Sequence, residues 1–574
     1  MTHPVNWRAW WALLWPYWKS DRKWTPISLF VALLALTFSL TYVRLAFSVW
    51  YGHYQEAIVK YDGGAIPALL FAFLGIVSLE VAVSISSGFL NSALSIHWRR
   101  WLTHRFIKRW MSANAFYWIE QERLIDNPDQ RITEDIDQFV LLSLSLALGL
   151  YGTVSSLCVF THVLWVKSGT LNISLLGHAV RIPHYMVWVA ILYSVLTSLL
   201  VQFAGRKLRT LTFQKQQAEA DFRYMMTGVR QHAEQIALLS GGETEVGRMS
   251  RGFEQVRKNF WRIVFFNLRF EPVTLAVALV SSLFASFALL PRYFAHGISF
   301  GDMTQLATTF GIVAGSMQWF IQNFNVLQQY RVVISRLAGL DQAIELGTLP
   351  KGPVYRHLPG SAIELTALSL TTPEGRPLIN GLSLTIRPGE QWLIKGPSGT
   401  GKSTLMRALA GIWRYGSGEV ALPLNAALFF LPQKNYLPSG TLKAALCYPS
   451  HPNTFDVQPC RAALNACGLT HLANDLDVIA GWGSALSPGE QQRLGFARVL
   501  LHRPDYVLLD ESTSALDEEN EVLMYRLLVE CLPQAAIVSI SHHAALSVFH
   551  THTLDVADTS VVIRYAPASE SAIA

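Results

Sequence analysis

Over the first 335 or so residues, apolar positions gather into long blocks; beyond them they break into short runs divided by turn residues. Six blocks, near 26–49, 66–94, 139–165, 184–205, 271–294 and 303–327, reach the roughly 20 residues a helix needs to cross a bilayer. They predict an α-helical transmembrane domain of six spans. The last two are diluted by Arg269, Glu271, Gln318, Gln322, Asn323 and Asn325. Two strongly polar stretches, at about 98–137 and 207–262, predict helices that carry the spans on into water. From Ser361 onward the short runs predict an α/β domain with an antiparallel β entry. Pro350 to Pro359 reads as a connection, so the predicted division is a membrane domain over 1–337, a linker over 338–360 and an α/β domain over 361–574.

Composition agrees with a membrane protein, at 51% hydrophobic and 15% charged residues. Basic residues set the expected orientation. Lys19, Arg22 and Lys23 precede the first span, and Arg99, Arg100, Arg105, Lys108 and Arg109 follow the second. Arg206, Lys207, Arg209 and Lys215 follow the fourth, and Arg257, Lys258 and Arg262 precede the fifth. The alternate loops hold little beyond Lys60, Lys167, Arg181 and Arg292. Lys and Arg concentrate on the cytoplasmic side, so both termini and both long polar stretches are expected there. The net charge of +6 is thereby explained by topology and anionic lipid, and nucleic acid is not expected as a partner. Trp7 to Trp24 mixes Trp, Tyr, Arg and Lys, which predicts a helix lying in the membrane interface, and no cleavable leader is expected. The five cysteines have no metal-ligand spacing and read as reduced thiols.

Several polar features fall inside or beside the spans. In Asp126-Asn127-Pro128-Asp129-Gln130-Arg131, Pro128 predicts a helix break and the acidic residues after it the cap of a new helix start. A broken helix at the cytoplasmic tip of a span pair is either a docking point for a soluble motor or an ordinary helical turn. Glu80 and Arg44 sit at membrane depth, where ionisable groups face a cavity or a partner. They read either as a substrate- or proton-sensing position or as a structural pair. Gln318, Gln322 and Asn325 share a helical stripe that either lines a polar pathway or bonds to neighbouring spans.

The chemistry is concentrated after Ser361. Gly396-Pro397-Ser398-Gly399-Thr400-Gly401-Lys402-Ser403-Thr404 follows the apolar run Gln391 to Ile394 and opens a helix. The glycines let backbone N–H groups face inward on an anion, Lys402 can reach the β- and γ-phosphates, and Ser403 offers a hydroxyl to Mg²⁺. Tyr506-Val-Leu-Leu-Asp510-Glu511 is an apolar strand ending in two carboxylates. Asp510 is placed to hold Mg²⁺ and Glu511 to polarise the attacking water. Gln433, between these motifs, can reach the metal and the water. Leu486-Ser487-Pro488-Gly489-Glu490 starts another helix, with Ser487 as N-cap and Pro488 in the first turn, and so makes a second anion site. Two phosphate sites so far apart in one domain make sense if two copies sandwich two ATPs, each Ser487 facing the partner's P-loop.

The order of these motifs, completed by Ser514-Ala-Leu-Asp517 and Ile540-Ser-His542, resembles the ATPase domain of ABC transporters. The resemblance implies that Asp517 communicates between sites and that His542 contacts the γ-phosphate, with ATP and Mg²⁺ bound. Membrane spans ahead of one such domain resemble a half-transporter that works as a homodimer. WRRWLTHRF, DNPDQRITEDI and FFLPQKNYLPSGTLKAALCYP resemble the SbmA/BacA-like family with fused ATPases (YddA type), related to peroxisomal fatty-acyl-CoA transporters. That implies an exporter-like fold in a bacterial inner membrane and a peptide-like or other amphiphilic solute. The alternatives are a lipid or fatty-acyl-CoA translocator, or a nucleotide-gated or proton-coupled path. Two departures stand out: Pro488 removes one backbone donor, and Thr371 and Thr372 stand where an adenine-stacking aromatic is usual.

Overall fold

The computed structural model describes residues 7–20, 23–175, 178–349, 351–557 and 560–565. Arg22, Pro350 and the side chains of Arg206 and Arg209 lie outside the described residues. The chain forms two compact units that divide between Thr348 and Leu349.

The first unit is helical: α1 (Trp7–Trp18), α2 (Trp24–Val59), α3 (Ile66–Met111), α4 (Ile136–Lys167), α5 (Tyr185–Gln231), α6 (Gly242–Phe294), α7 (Phe300–Met317) and α8 (Phe324–Thr348), with short helical pieces between them and an antiparallel pair, β1 (Thr170–Leu175) and β2 (His178–Pro183), between α4 and α5. Among the described residues, three stretches are long and apolar enough to cross a membrane: Trp24–Val59, Ile66–Gln121 and Pro128–Lys167. Tyr185–Leu199 and Leu283–Phe294 are shorter apolar segments, at the start of α5 and the end of α6. The block expected at 303–327 is divided by turns at Gln318 and Asn323, so Gln318, Gln322 and Asn325 do not lie on one unbroken helix. Both polar stretches are helical extensions of the apolar segments, as their pattern requires.

Two apolar clusters hold this unit together. One joins Leu13 and Tyr17 of α1 to Trp98, Phe139 and Leu337, with the Tyr17 and Trp98 rings stacked at 5.1 Å. The other packs Phe160, Tyr185, Leu289 and Phe310. With its inner face buried, α1 exposes Trp7, Trp11 and Trp15, one helical turn apart, and Lys19 lies 5.2 Å from the Trp15 ring. That two-faced pattern is what an interfacial helix needs.

The break around Pro128 forms as expected, but the new helix starts at Asn127 and no acidic side chain after Pro128 caps it. Asn127 adopts a left-handed conformation and Pro128 occupies the first helical turn, where its missing N–H costs nothing. Arg131 then donates to the Asp126 carbonyl at 3.1 Å and to the Arg336 carbonyl of α8 at 2.9 Å. Asp135, buried, pairs with Arg336 at 3.2 Å. The broken segment is therefore pinned to α8. Glu80 and Arg44 form no ion pair with each other among the described residues, against the structural-pair reading. Arg44 instead lines a cavity of about 350 Å³ with Tyr51 and Thr308. Gln318 donates to Thr197 Oγ1 at 3.0 Å, an interhelical bond.

The expected linker over 338–360 needs correction. Leu340, Ala343, Ile344 and Gly347 are buried on one side of α8, so the helix runs on to Thr348. Val354–Leu358, expected to be irregular, is a strand paired in parallel with Gly416–Pro423.

The second unit has two sheets. The smaller orders β3 (Val354–Leu358), β7 (Gly416–Pro423), β4 (Ile363–Thr371) and β5 (Pro377–Ile386). The larger runs from β12 (Ser560–Tyr565) through β11 (His552–Ala557), β6 (Gln391–Lys395), β10 (Ala536–Ile540) and β9 (Tyr506–Asp510) to β8 (Leu428–Leu431). Five of its strands are parallel, and only β12 pairs antiparallel. Buried on both faces, β9 and β10 read as near-continuous apolar runs. One face carries Leu405 and Met406 of α9 (Lys402–Leu409), and the other Leu494 and Phe496 of α10 (Pro488–His502) with Met524 of α11 (Glu518–Cys531). All five cysteines are free.

Candidate active site

Four neighbouring parallel strands end on the same side, and each delivers one part of the site. β6 leads into the P-loop, β8 into Gln433, β9 into Asp510 and Glu511, and β10 into His542. The carboxyl edge of a parallel sheet is where such folds bind ligands.

Sequence explains the curl of the P-loop. Gly396 has φ +146°, and a Cβ there would stand 2.2 Å from the Val556 carbonyl oxygen. Gly399 and Gly401 also have positive φ, at +83° and +100°. Only glycine takes these conformations freely. Lys402 is buried and donates to the Gly396 and Pro397 carbonyls at 2.7 and 2.8 Å. Burial pushes its ammonium pKa down, while nearby Glu511 and Asp510 oppose that shift. Thr400 closes the loop by donating to the Pro397 carbonyl at 3.0 Å.

Ser403 Oγ donates to Asp510 Oδ1 at 2.9 Å. Burial pushes the Asp510 pKa up, with the Ser403 hydrogen bond acting against it. A hydroxyl and a carboxylate side by side next to a phosphate loop are hard oxygen donors, and they suit Mg²⁺. When bound, the ion supplies charge neutralisation for the triphosphate.

Glu511 follows with φ +47°, a left-handed conformation that is uncommon for a glutamate. Its amide donates to the Ile540 carbonyl at 3.2 Å, tying the turn to β10. Gln433 Nε2 donates to Glu511 Oε2 at 3.2 Å, and His542 Nε2 lies 3.6 Å from Oε1. The carboxylate is thus held from two sides, in the posture of a group that orients and polarises a water. Lys402, Ser403, Gln433, Asp510, Glu511 and His542 come together in one chain.

Ser487, Gly489, Glu490 and Asp517 form a different group. Ser487 caps α10, accepting from the Glu490 amide at 3.4 Å, while Glu490 Oε2 accepts from the Ser487 amide at 2.9 Å. The Ser487 hydroxyl, its backbone N–H and then His471 hold the Glu490 carboxyl below its usual pKa range. Glu490 is therefore engaged in supporting the cap. Gly489 lies against the segment that follows β9, where a Cβ would meet the Ala515 carbonyl at 3.2 Å. Asp517 caps α11 by accepting from the Asn520 amide at 2.8 Å. Among the described residues no hydrogen bond or ion pair joins 396–404 to 487–490.

Two supports were not anticipated from sequence. Gln492 is buried, donates to Ser514 Oγ at 3.2 Å and accepts from the Ala515 amide at 2.9 Å, which fixes α10 to the Asp517 segment. Glu521, also buried, accepts from Thr513 at 2.5 Å and contacts His543 Nδ1 at 2.6 Å. A glutamine after the signature and one glutamate among three in a helix start carry no sequence signal for these roles. Thr371, one of the two threonines where an aromatic was looked for, accepts from Trp413 Nε1 through its carbonyl at 3.1 Å.

A helical membrane unit joined to a P-loop ATPase with a carboxylate-centred hydrolytic site defines a membrane transporter driven by ATP. The membrane part matches the family described as ABC transporter transmembrane region 2 over residues 13–294, and residues 379–514 match the family described as ABC transporter. The chain belongs to the ABC transporters. It is 33% identical to an ABC transporter ATP-binding protein of Haemophilus influenzae, covering 96% of this chain and 92% of that one. It is 28% identical to the inner membrane ABC transporter ATP-binding protein YddA of Escherichia coli, covering 92% and 94%. With the human lysosomal cobalamin transporter ABCD4 it shares 27% identity over 94% and 93%. The protein is an ATPase that binds ATP with Mg²⁺ and drives transmembrane transport.

Proposed function

We propose that the protein is a homodimeric pump of the SbmA/BacA-like type in a bacterial inner membrane, moving peptide-like or other amphiphilic solutes. It crosses the membrane six times with both termini in the cytoplasm. The observation that carries the reading is the divided site. The P-loop side is assembled within one chain, while the capped turn at Ser487 shares no bond with it, so a twin subunit is needed to present that turn. In the closed pair, Ser487 and Gly489 of one subunit face the triphosphate on the other's Lys402, and Asp517 links the two sites.

Glu511 accepts a proton from the attacking water, and His542 and Gln433 keep its carboxylate aimed. Residues 126–131 relay closure to the spans; the Arg131 bond to the α8 backbone supports this, because one rigid tie moves both elements. The name of the Escherichia coli relative supports the inner-membrane placement. Glu80, Gln318 and Gln322 belong to the transport path.

Purified protein in lipid vesicles tests the proposal. ATP should drive accumulation of at least one solute among peptides, cobalamin and acyl-CoAs, and that solute should stimulate turnover. Glu511→Gln should bind ATP and halt accumulation. A variant that still conducts while holding ATP would establish a gated path in place of a pump.

A further inference from the structure

α5 and α6 lie against each other, and Asn259 of α6 donates to the Gln214 carbonyl of α5 at 3.5 Å. Beside that contact is a cavity of about 700 Å³ lined by Lys207, Thr210, Leu211 and Gln214 from α5 and by Arg262, Phe265, Phe266 and Arg269 from α6. The spacing is helical on both sides: 207, 211 and 214 share one stripe, and 262, 265, 266 and 269 another. Three cations converge here, and no Asp or Glu stands among the lining residues.

Carboxylates elsewhere on these two helices have partners of their own, Glu271 just past Arg269 included. Glu219 pairs with Lys215 at 3.6 Å, and Glu254 with Arg257 at 2.7 Å. Among the described residues Lys207, Arg262 and Arg269 enter no ion pair; Arg262 is bonded to the Asn259 amide oxygen at 3.4 Å. Three like charges around one concavity repel each other, and an anion between them removes that penalty.

Depth gives the second half of the argument. Lys207 stands two residues past the apolar block at 184–205. Arg269 directly precedes the apolar block at 271–294. The cavity therefore lies where the apolar parts of both helices meet water. Basic residues at that depth are expected from orientation alone and would signify nothing if scattered. Here they share a cavity of ligand size with Phe265, Phe266 and Leu211, an apolar wall beside a cationic one.

We propose that the α5–α6 crevice binds a single-tailed anionic amphiphile, its phosphate or carboxylate head on Lys207, Arg262 and Arg269 and its chain along Phe265, Phe266 and Leu211. Basic pockets between helices at the cytoplasmic boundary hold anionic head groups in this way. The inference rests on the membrane placement proposed above, and it narrows the amphiphilic ligand to a negatively charged one.

Native mass spectrometry of the full-length protein, without nucleotide, tests the site with three probes: oleoyl lysophosphatidic acid, the zwitterionic oleoyl lysophosphatidylcholine, and inorganic phosphate. The anionic lysolipid should bind about tenfold tighter than the zwitterionic one. Arg262→Gln with Arg269→Gln should erase that preference, and Arg262→Lys with Arg269→Lys should keep most of it. Unchanged size-exclusion behaviour and ATP binding would show that the glutamine variant is folded. Equal affinity for both lysolipids, or undiminished anionic binding by the folded glutamine variant, would overturn the proposal. So would full displacement by millimolar inorganic phosphate, which would mark a site for the free anion. In vesicles, ATP-dependent movement of the bound lysolipid would mark it as the solute; retention with an altered ATPase rate would mark it as a resident lipid. Both results uphold the site. Intact binding with no ATP-driven movement of any solute would count against the pump alone.

Discussion

Glu511 concentrates the chemistry of the molecule in one side chain. Its left-handed backbone and its contacts from Gln433 and His542 fix a carboxylate where a water must lose a proton. Glu511→Gln keeps shape and hydrogen bonding and removes the base, so turnover should fall roughly a hundredfold or more with ATP affinity preserved. Steady-state ATPase rates together with nucleotide binding check this; a variant with near-normal turnover would move the base elsewhere. His550 makes a second residue-scale prediction. It is buried against the Leu546 carbonyl and Ser539, and burial pushes its pKa down to about 4 from 6.5. The unfolded chain takes up this proton near pH 6.5 and the folded chain only near pH 4. Stability is therefore complete above 6.5 and declines as pH falls toward 4, by roughly 3 kcal/mol. Thermal melting across that window should show the decline, and His550→Gln should flatten it.

At the scale of elements, the signature helix turns on Pro488. A proline at the first helical position needs no partner for its missing N–H, and the Ser487–Glu490 capping box stays intact around it. Pro488→Gly should cost about 0.4–1 kcal/mol of stability by loosening the unfolded chain. Turnover should be unchanged, because Gly489 still supplies its N–H. A large rise in turnover would show instead that the lost donor limits hydrolysis. This element also shows what sequence can and cannot display. Ser487, the P-loop glycines and the strand-end carboxylates are legible because their chemistry demands fixed residue types at fixed local spacing. Gln492 and Glu521 are not, because their partners are set by packing between distant segments. The extent of α8 was missed for a related reason: the apolar spacing of Leu340, Ala343, Ile344 and Gly347 lies inside a stretch read as connection because of the prolines that follow.

In the whole molecule, the apolar blocks fixed the helical character of the first unit, and their polar extensions became helices running past the apolar parts. The number of crossings is less legible, since Arg269, Glu271 and the amide-bearing turns at Gln318 and Asn323 dilute the later blocks. The central claim is that a triphosphate is clamped between the P-loop of one subunit and the Ser487 turn of its twin. Disulfide trapping tests it most directly. Cys158 and Cys531 are exposed and would first be replaced by serine. Ser398→Cys and Ser487→Cys would then be combined in the Glu511→Gln protein and oxidised with and without ATP and Mg²⁺. A covalent dimer that forms only with nucleotide is the predicted result. A chain that stays monomeric under oxidation, with ATP bound, would contradict the account.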